Sequence, residues 1–104
     1  MSRPFSYNDE NFTVINNILI CHIKINKNVV AGKEIIEVPP EIYNRLLHYS
    51  NVAWVVRDKI NTTSSFAFAI GVKVIDNKYY LISSGNVDSN NYEYISCIYS
   101  LKDI

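Results

Sequence analysis

Two cysteines and two histidines are the side chains of this 104-residue chain most suited to metal binding or nucleophilic chemistry, and their spacing limits what they can do. Cys21 and Cys97 are separated by 75 intervening residues, with no CxxC and no Cys/His spacing that would close a compact tetrahedral site. No metal is expected. His22 and His48 fall on different elements and in no HxH or HExxH pattern, so both read as partly exposed surface histidines. The chain has no GxSxG motif and no paired-carboxylate motif, and three glycines are too few for a phosphate-cradling loop. Asp88 near Ser83, Ser84 and Ser89 is ordinary loop composition. Catalysis needs titratable groups gathered around a nucleophile or a metal, so neither an enzyme nor a cofactor is expected.

The cysteines carry a different reading. Each lies on the apolar parity of an alternating segment, Leu19-Cys21-Ile23-Ile25 and Ile95-Cys97-Tyr99-Leu101, where a thiol behaves as a small hydrophobe. This predicts two reduced core thiols in an intracellular protein, with a disulfide joining the first and last strands as the alternative.

Aromatic residues are the second chemical resource. Tyrosine offers a large contact area at little entropic cost and keeps a hydroxyl for a polar partner, which suits recognition surfaces. Trp54, Tyr80, Tyr92 and Tyr94 are the candidate binding residues, on the expectation that they line one face where a carbohydrate, a nucleotide-like ligand or a protein subunit stacks. Adjacent Tyr79 and Tyr80 must point to opposite sheet faces, so only one of them can enter a given core. Phe5 and Tyr7 are apolar anchors on an otherwise polar segment, and are the candidate contacts to a neighbouring subunit.

The elements that must position these residues are mostly strands. Residues 1–11 read as an extended arm and residues 12–104 as a single β-rich domain. Phe12 to Ile15 and Ile18 to Ile25 flank Asn16-Asn17, whose short polar side chains tolerate the positive φ of a tight hairpin turn. On the second of these strands the other parity, Ile18, Ile20, His22 and Lys24, runs from apolar to polar and becomes wet toward its end. Glu34 to Val38 resumes extended structure until Pro39-Pro40 ends it. Pro40 can open one short helix, about residues 40–49, with Glu41 in its first turn and Ile42, Leu46 and Leu47 at helical spacing. Strands follow at 51–57 around Trp54, at 66–75, at 78–83 after an Asp76-Asn77 turn, and at 92–101. About six or seven short strands separated by turn signals predict a mainly β fold, an antiparallel β-sandwich or small barrel.

Composition narrows the function classes. Ten Lys and Arg balance ten Asp and Glu, which removes the electrostatic attraction that nucleic-acid binders draw from clustered cations. Uninterrupted apolar runs of only a few residues fall far short of the ~20 that span a bilayer. The first ten residues lack the apolar stretch of a secretory signal. No nucleic-acid or membrane partner is expected.

Three segments carry a resemblance: Arg3-Pro4-Phe5 with Tyr7 and Asp9 to Ile15, Ile36-Glu37-Val38-Pro39-Pro40-Glu41-Ile42-Tyr43, and the closing Leu101-Lys102-Asp103-Ile104. Together they resemble short β-rich tail and virion modules of phages and prophages. The resemblance covers about half of the chain, brings no functional residue with it, and implies a small virion component. The resulting expectation is a non-enzymatic phage structural or host-attachment module, acting by self-association and by protein or carbohydrate contact. Its partners would be copies of itself, other virion proteins, a host protein or a glycan, and its location the virion or the host cytoplasm during infection. The alternative is a small phage-encoded inhibitor that binds a host defence protein or sequesters a nucleotide signal. Self-association is expected from the 66–83 hairpin, whose alternation is apolar on both faces.

Overall fold

The computed structural model describes residues 5–47, 51–56, 65–90 and 92–102; within 51–56 and 65–67 it describes the backbone, with the side chain of Ala53 alone. Asn16 (φ 52°) and Asn17 (φ 62°) take the left-handed region that a two-residue hairpin needs, and join β2 (Phe12–Ile15) to β3 (Ile18–Lys24) in antiparallel register. Asp76 (φ 51°) and Asn77 (φ 64°) do the same between β6 (Ser65–Ile75) and β7 (Lys78–Ser83). Ahead of β2, the two-residue β1 (Tyr7–Asn8) pairs with Val14 and Thr13.

Every ladder among the described residues is antiparallel, and the strand order is β1-β2-β3-β8-β5-β6-β7-β4. Here β4 is Glu34–Glu37, β5 is Asn51–Val56 and β8 is Tyr94–Ser100. The long β6 belongs to both layers: its first half, Ser65–Ile70, pairs with β5 and its second half, Ile70–Ile75, with β7. The ladder therefore folds into two antiparallel layers without closing into a barrel, and the sandwich form of the expected architecture is the one found.

Between the layers lie Phe12, Val14, Leu19, Cys21, Ile23, Ile70, Leu81, Ile95, Cys97 and Tyr99, all buried. On β3, burial alternates residue by residue, as the period of two demands. Among the described residues Tyr99 is the largest of the fully buried side chains, and its hydroxyl donates to the Ile70 carbonyl at 2.8 Å, tying β8 to the residue where β6 passes from one layer to the other.

The helix is shorter than the sequence suggests. Pro40–Arg45 forms a 3-10 helix, in which Ile42 N–H donates to the Pro39 carbonyl at 3.0 Å, and Leu46 resumes extended geometry at ψ 134°. Proline at its first position suits the start, but β-branched Ile42, aromatic Tyr43 and Asn44 contribute little helix propensity, and no side chain caps its N-terminus. It still places Ile42 and Leu46 in the core.

Two loops complete the scaffold. Val29 and Val87 form a reciprocal bridge with both N–H···O distances at 2.9 Å, and both side chains are buried. Asn28 Oδ1 accepts from Ser89 N–H (2.9 Å) and Ser89 Oγ (3.0 Å), while Asn86 Oδ1 accepts from Ala31 N–H (2.8 Å). The β3–β4 and β7–β8 loops are thus clasped together at one end of the sandwich.

Candidate functional site

Because β3 and β8 each turn one parity inward, their other parity forms a shared outer face. Ile18, Ile20, His22 and Lys24 of β3 stand there beside Ser100, Ile98, Ser96 and Tyr94 of β8, their direct register partners. Ile20 (39% exposed) and Ile98 (60%) are a cross-strand pair, and Ile18 (41%) pairs with Ile15 (54%) of β2. The result is an isoleucine patch crossing three strands. Exposed apolar residues scattered singly are ordinary, whereas contiguous ones mark contact surfaces.

Next to the patch, the His22 and Tyr94 rings stack with centroids 4.4 Å apart and planes inclined by 14°. His22 Nδ1 and Ser96 Oγ share a hydrogen bond of 2.9 Å. That distance would suit a nucleophile and its base, but the pair sits on a pleated strand face, and the His22 N–H is given to the Asn11 carbonyl at 2.9 Å. What the arrangement offers is a flat platform, apolar at one end and polar-aromatic at the other.

Of the residues singled out from the sequence, Tyr94 is in this platform. Trp54 occupies the β5 position paired with Ser96, so its backbone adjoins the platform; its side chain lies outside the described residues. Tyr80 is elsewhere, on β7 opposite Lys73 and Glu37, half-buried. Its neighbour Tyr79 packs against the core and stacks on Tyr43 at 4.5 Å, so the two tyrosines do face opposite ways. Tyr92 precedes β8, packs against the core, and its N–H donates to the Asp88 carbonyl at 3.0 Å. His48 is outside the described residues.

Phe5 and Tyr7 pack on their own chain. The Arg45 guanidinium lies 4.2 Å above the Phe5 ring centre, and Tyr7 is part of β1. Tyr7 donates its hydroxyl to Asp9 Oδ2 at 2.8 Å, and this hydrogen bond to a carboxylate pushes its phenol up to about 12. The other Asp9 oxygen accepts from Asn11 and Phe12 N–H, each at 2.8 Å, which fixes the turn into β2.

The sequence pattern marks Ile18, Ile20, His22 and Lys24 as one parity but does not join them to Ile15 and Ile98 as a contact surface, although isoleucine stands on the outward parity of β3 (Ile18, Ile20) and of β8 (Ile98). The 66–83 hairpin shows much less exposed apolar surface than its pattern suggested. Among the described residues of β6 and β7, Val74 (48% exposed) is the one large apolar side chain left open. Ile70 and Leu81 are buried in the core, and Phe68, Val72 and Tyr79 pack against it.

A half-open cleft of about 540 Å³ lies at the clasped-loop end. Its apolar part comes from Ile23, Ile25, Val29, Val30 and Ile35, and Lys24, Lys27, Lys33 and Glu34 also line it. Among the described residues no group of three or more His, Cys, Asp and Glu side chains could hold a metal ion, and no helix is long and apolar enough to cross a membrane.

No protein-family model, curated protein or solved structure matches the chain.

Proposed function

We propose that the chain is a non-enzymatic contact module whose β2–β3–β8 face packs against the same face of a second copy. The observation that carries this reading is the contiguous isoleucine patch. Its central members, Ile18, Ile20 and Ile98, sit on paired strands that a local rearrangement cannot turn inward without exposing Leu19, Cys21 and Cys97. A second copy brings an equally apolar surface, and a two-fold arrangement would set isoleucine against isoleucine and leave the His22–Tyr94 platform at the rim. The likeness of three sequence segments to phage tail and virion modules supports a role in such a particle, as a structural or host-attachment component, with the polar-aromatic end available to a protein or glycan.

The test is the molar mass in solution. Sedimentation of the wild-type chain across micromolar concentrations is expected to show a reversible dimer or higher closed oligomer. Ile20→Glu with Ile98→Glu, both on the exposed face, should give a monomer with an unchanged far-ultraviolet circular dichroism spectrum. A wild-type chain that stays monomeric throughout that range overturns the proposal.

A further inference from the structure

The inward face of the same two strands holds a feature that the contact reading does not use. Cys21 and Cys97 are direct register partners, the middle of the seven residue pairs of the β3–β8 ladder. Both thiols are free and buried, at 0% and 3% exposure. On either side of them the row continues with Phe12 of β2 and Ala53 of β5, also buried.

Ile25 N–H donates to the Glu93 carbonyl and Leu101 N–H to the Asn17 carbonyl, so Cys21 and Cys97, on the same parity, form a hydrogen-bonded pair. The Cα atoms of such a pair are about 5.5 Å apart, inside the ~4.4–6.8 Å range that a disulfide spans. Their side chains also leave the sheet on the same side, and closing the bond needs the two Cβ atoms to approach by about 1 Å, to the ~3.5–4.5 Å that a disulfide requires, a small adjustment of two adjacent strands. We infer that Cys21 and Cys97 are the site of an intrachain disulfide, formed when the chain folds in the presence of a small disulfide oxidant such as oxidised glutathione.

The chemistry balances in two exchanges. One cysteine thiolate attacks a sulfur of oxidised glutathione, forming a mixed disulfide and expelling one glutathione thiolate. The second cysteine thiolate then attacks the protein sulfur of that mixed disulfide and expels the other. Two electrons pass from the protein thiols to the oxidant, and the two thiol protons end on the two glutathione molecules released. Timing follows from burial. In the folded chain the neighbouring Cys97 thiol and loss of solvent both push the Cys21 thiol up, so the attacking thiolate is scarce and shielded. During folding the same thiols are accessible while β3 and β8 are coming into register.

The experiment uses the wild-type chain, denatured and reduced, then refolded either in a glutathione redox buffer or in excess reductant. The redox-refolded monomer is expected to be lighter by two hydrogens, to expose no titratable thiol when denatured without reductant, and to yield a Cys21–Cys97 linked peptide on non-reducing digestion. Its urea midpoint should exceed that of the reduced form, because the bond removes freedom from the unfolded chain. Retention of two titratable thiols, or linkage only between chains, overturns the inference. So does an oxidised monomer that unfolds at lower urea than the reduced one, since the bond would then be strained.

Discussion

Asp9 shows how a single side chain can organise a segment with little apolar content. One carboxylate oxygen holds the Asn11 and Phe12 amides and the other holds the Tyr7 hydroxyl, so the turn into β2 and the first strand pair share one anchor. The hydrogen bond favours the protonated phenol, which is why Tyr7 ionises near 12 rather than at its ordinary value of about 10. The sign of the linkage follows. The contribution is fully present below about pH 10, where the phenol is protonated in both states, and is lost as the pH rises from there through about 12. Asp9→Asn keeps an oxygen for the two amides but removes the charge. In an ultraviolet absorbance titration its Tyr7 should ionise closer to about pH 10 than in the wild type. A Tyr7 that still titrates near 12 in this variant would assign the shift to something other than the Asp9 charge.

At the scale of elements, the hairpins were legible in the residues and the packing was not. Asn16-Asn17 and Asp76-Asn77 were recognisable as turns because few side chains tolerate positive φ at two successive positions, a purely local constraint. The strand alternations were legible for the same reason. By contrast, β1 emerged from a segment that reads as a polar arm, because what makes it a strand is the unpaired edge of β2 together with Asp9. The Val29–Val87 bridge joins residues far apart in sequence, and no local pattern announces it. Nor could alternation say which apolar face the second layer would cover: it showed two faces on both β3 and β6, and only the fold leaves one of them open. The turn argument yields a paired prediction at Asn77, whose φ is 64°. Asn77→Val should destabilise the chain by about 1–2 kcal/mol, because a branched side chain crowds the backbone in the left-handed region. Asn77→Gly should be close to neutral, with the loss of unfolded-state order set against relief of the residual strain. Urea denaturation of the two variants checks the contrast, and equal midpoints would deny the turn its strained geometry.

For the whole molecule, the decisive property is where charge and apolar surface lie relative to each other. The chain has no net charge, Lys27 and Lys33 line the cleft at the clasped-loop end, Lys24 lies where that cleft meets the outer face of β3, and the isoleucine patch is on the outer face of β2, β3 and β8. Association through the patch would bring together Ile15, Ile18, Ile20 and Ile98, with Lys24 at the margin of the face. Its free energy then comes from apolar surface leaving water, and ion pairs contribute little. Two signatures follow. The dissociation constant of the oligomer should change by less than about threefold between roughly 0.1 and 1 M sodium chloride, since screening at a Debye length falling from ~10 to ~3 Å finds few charges to act on. Dilution calorimetry over a range of temperatures should give a negative heat-capacity change of association, the marker of apolar burial. Assembly through the lysine cleft would behave oppositely on the first measurement, because an anionic partner held there is released as salt rises. A self-association that weakens tenfold or more over that salt range would therefore move the contact from the isoleucine face to the cleft.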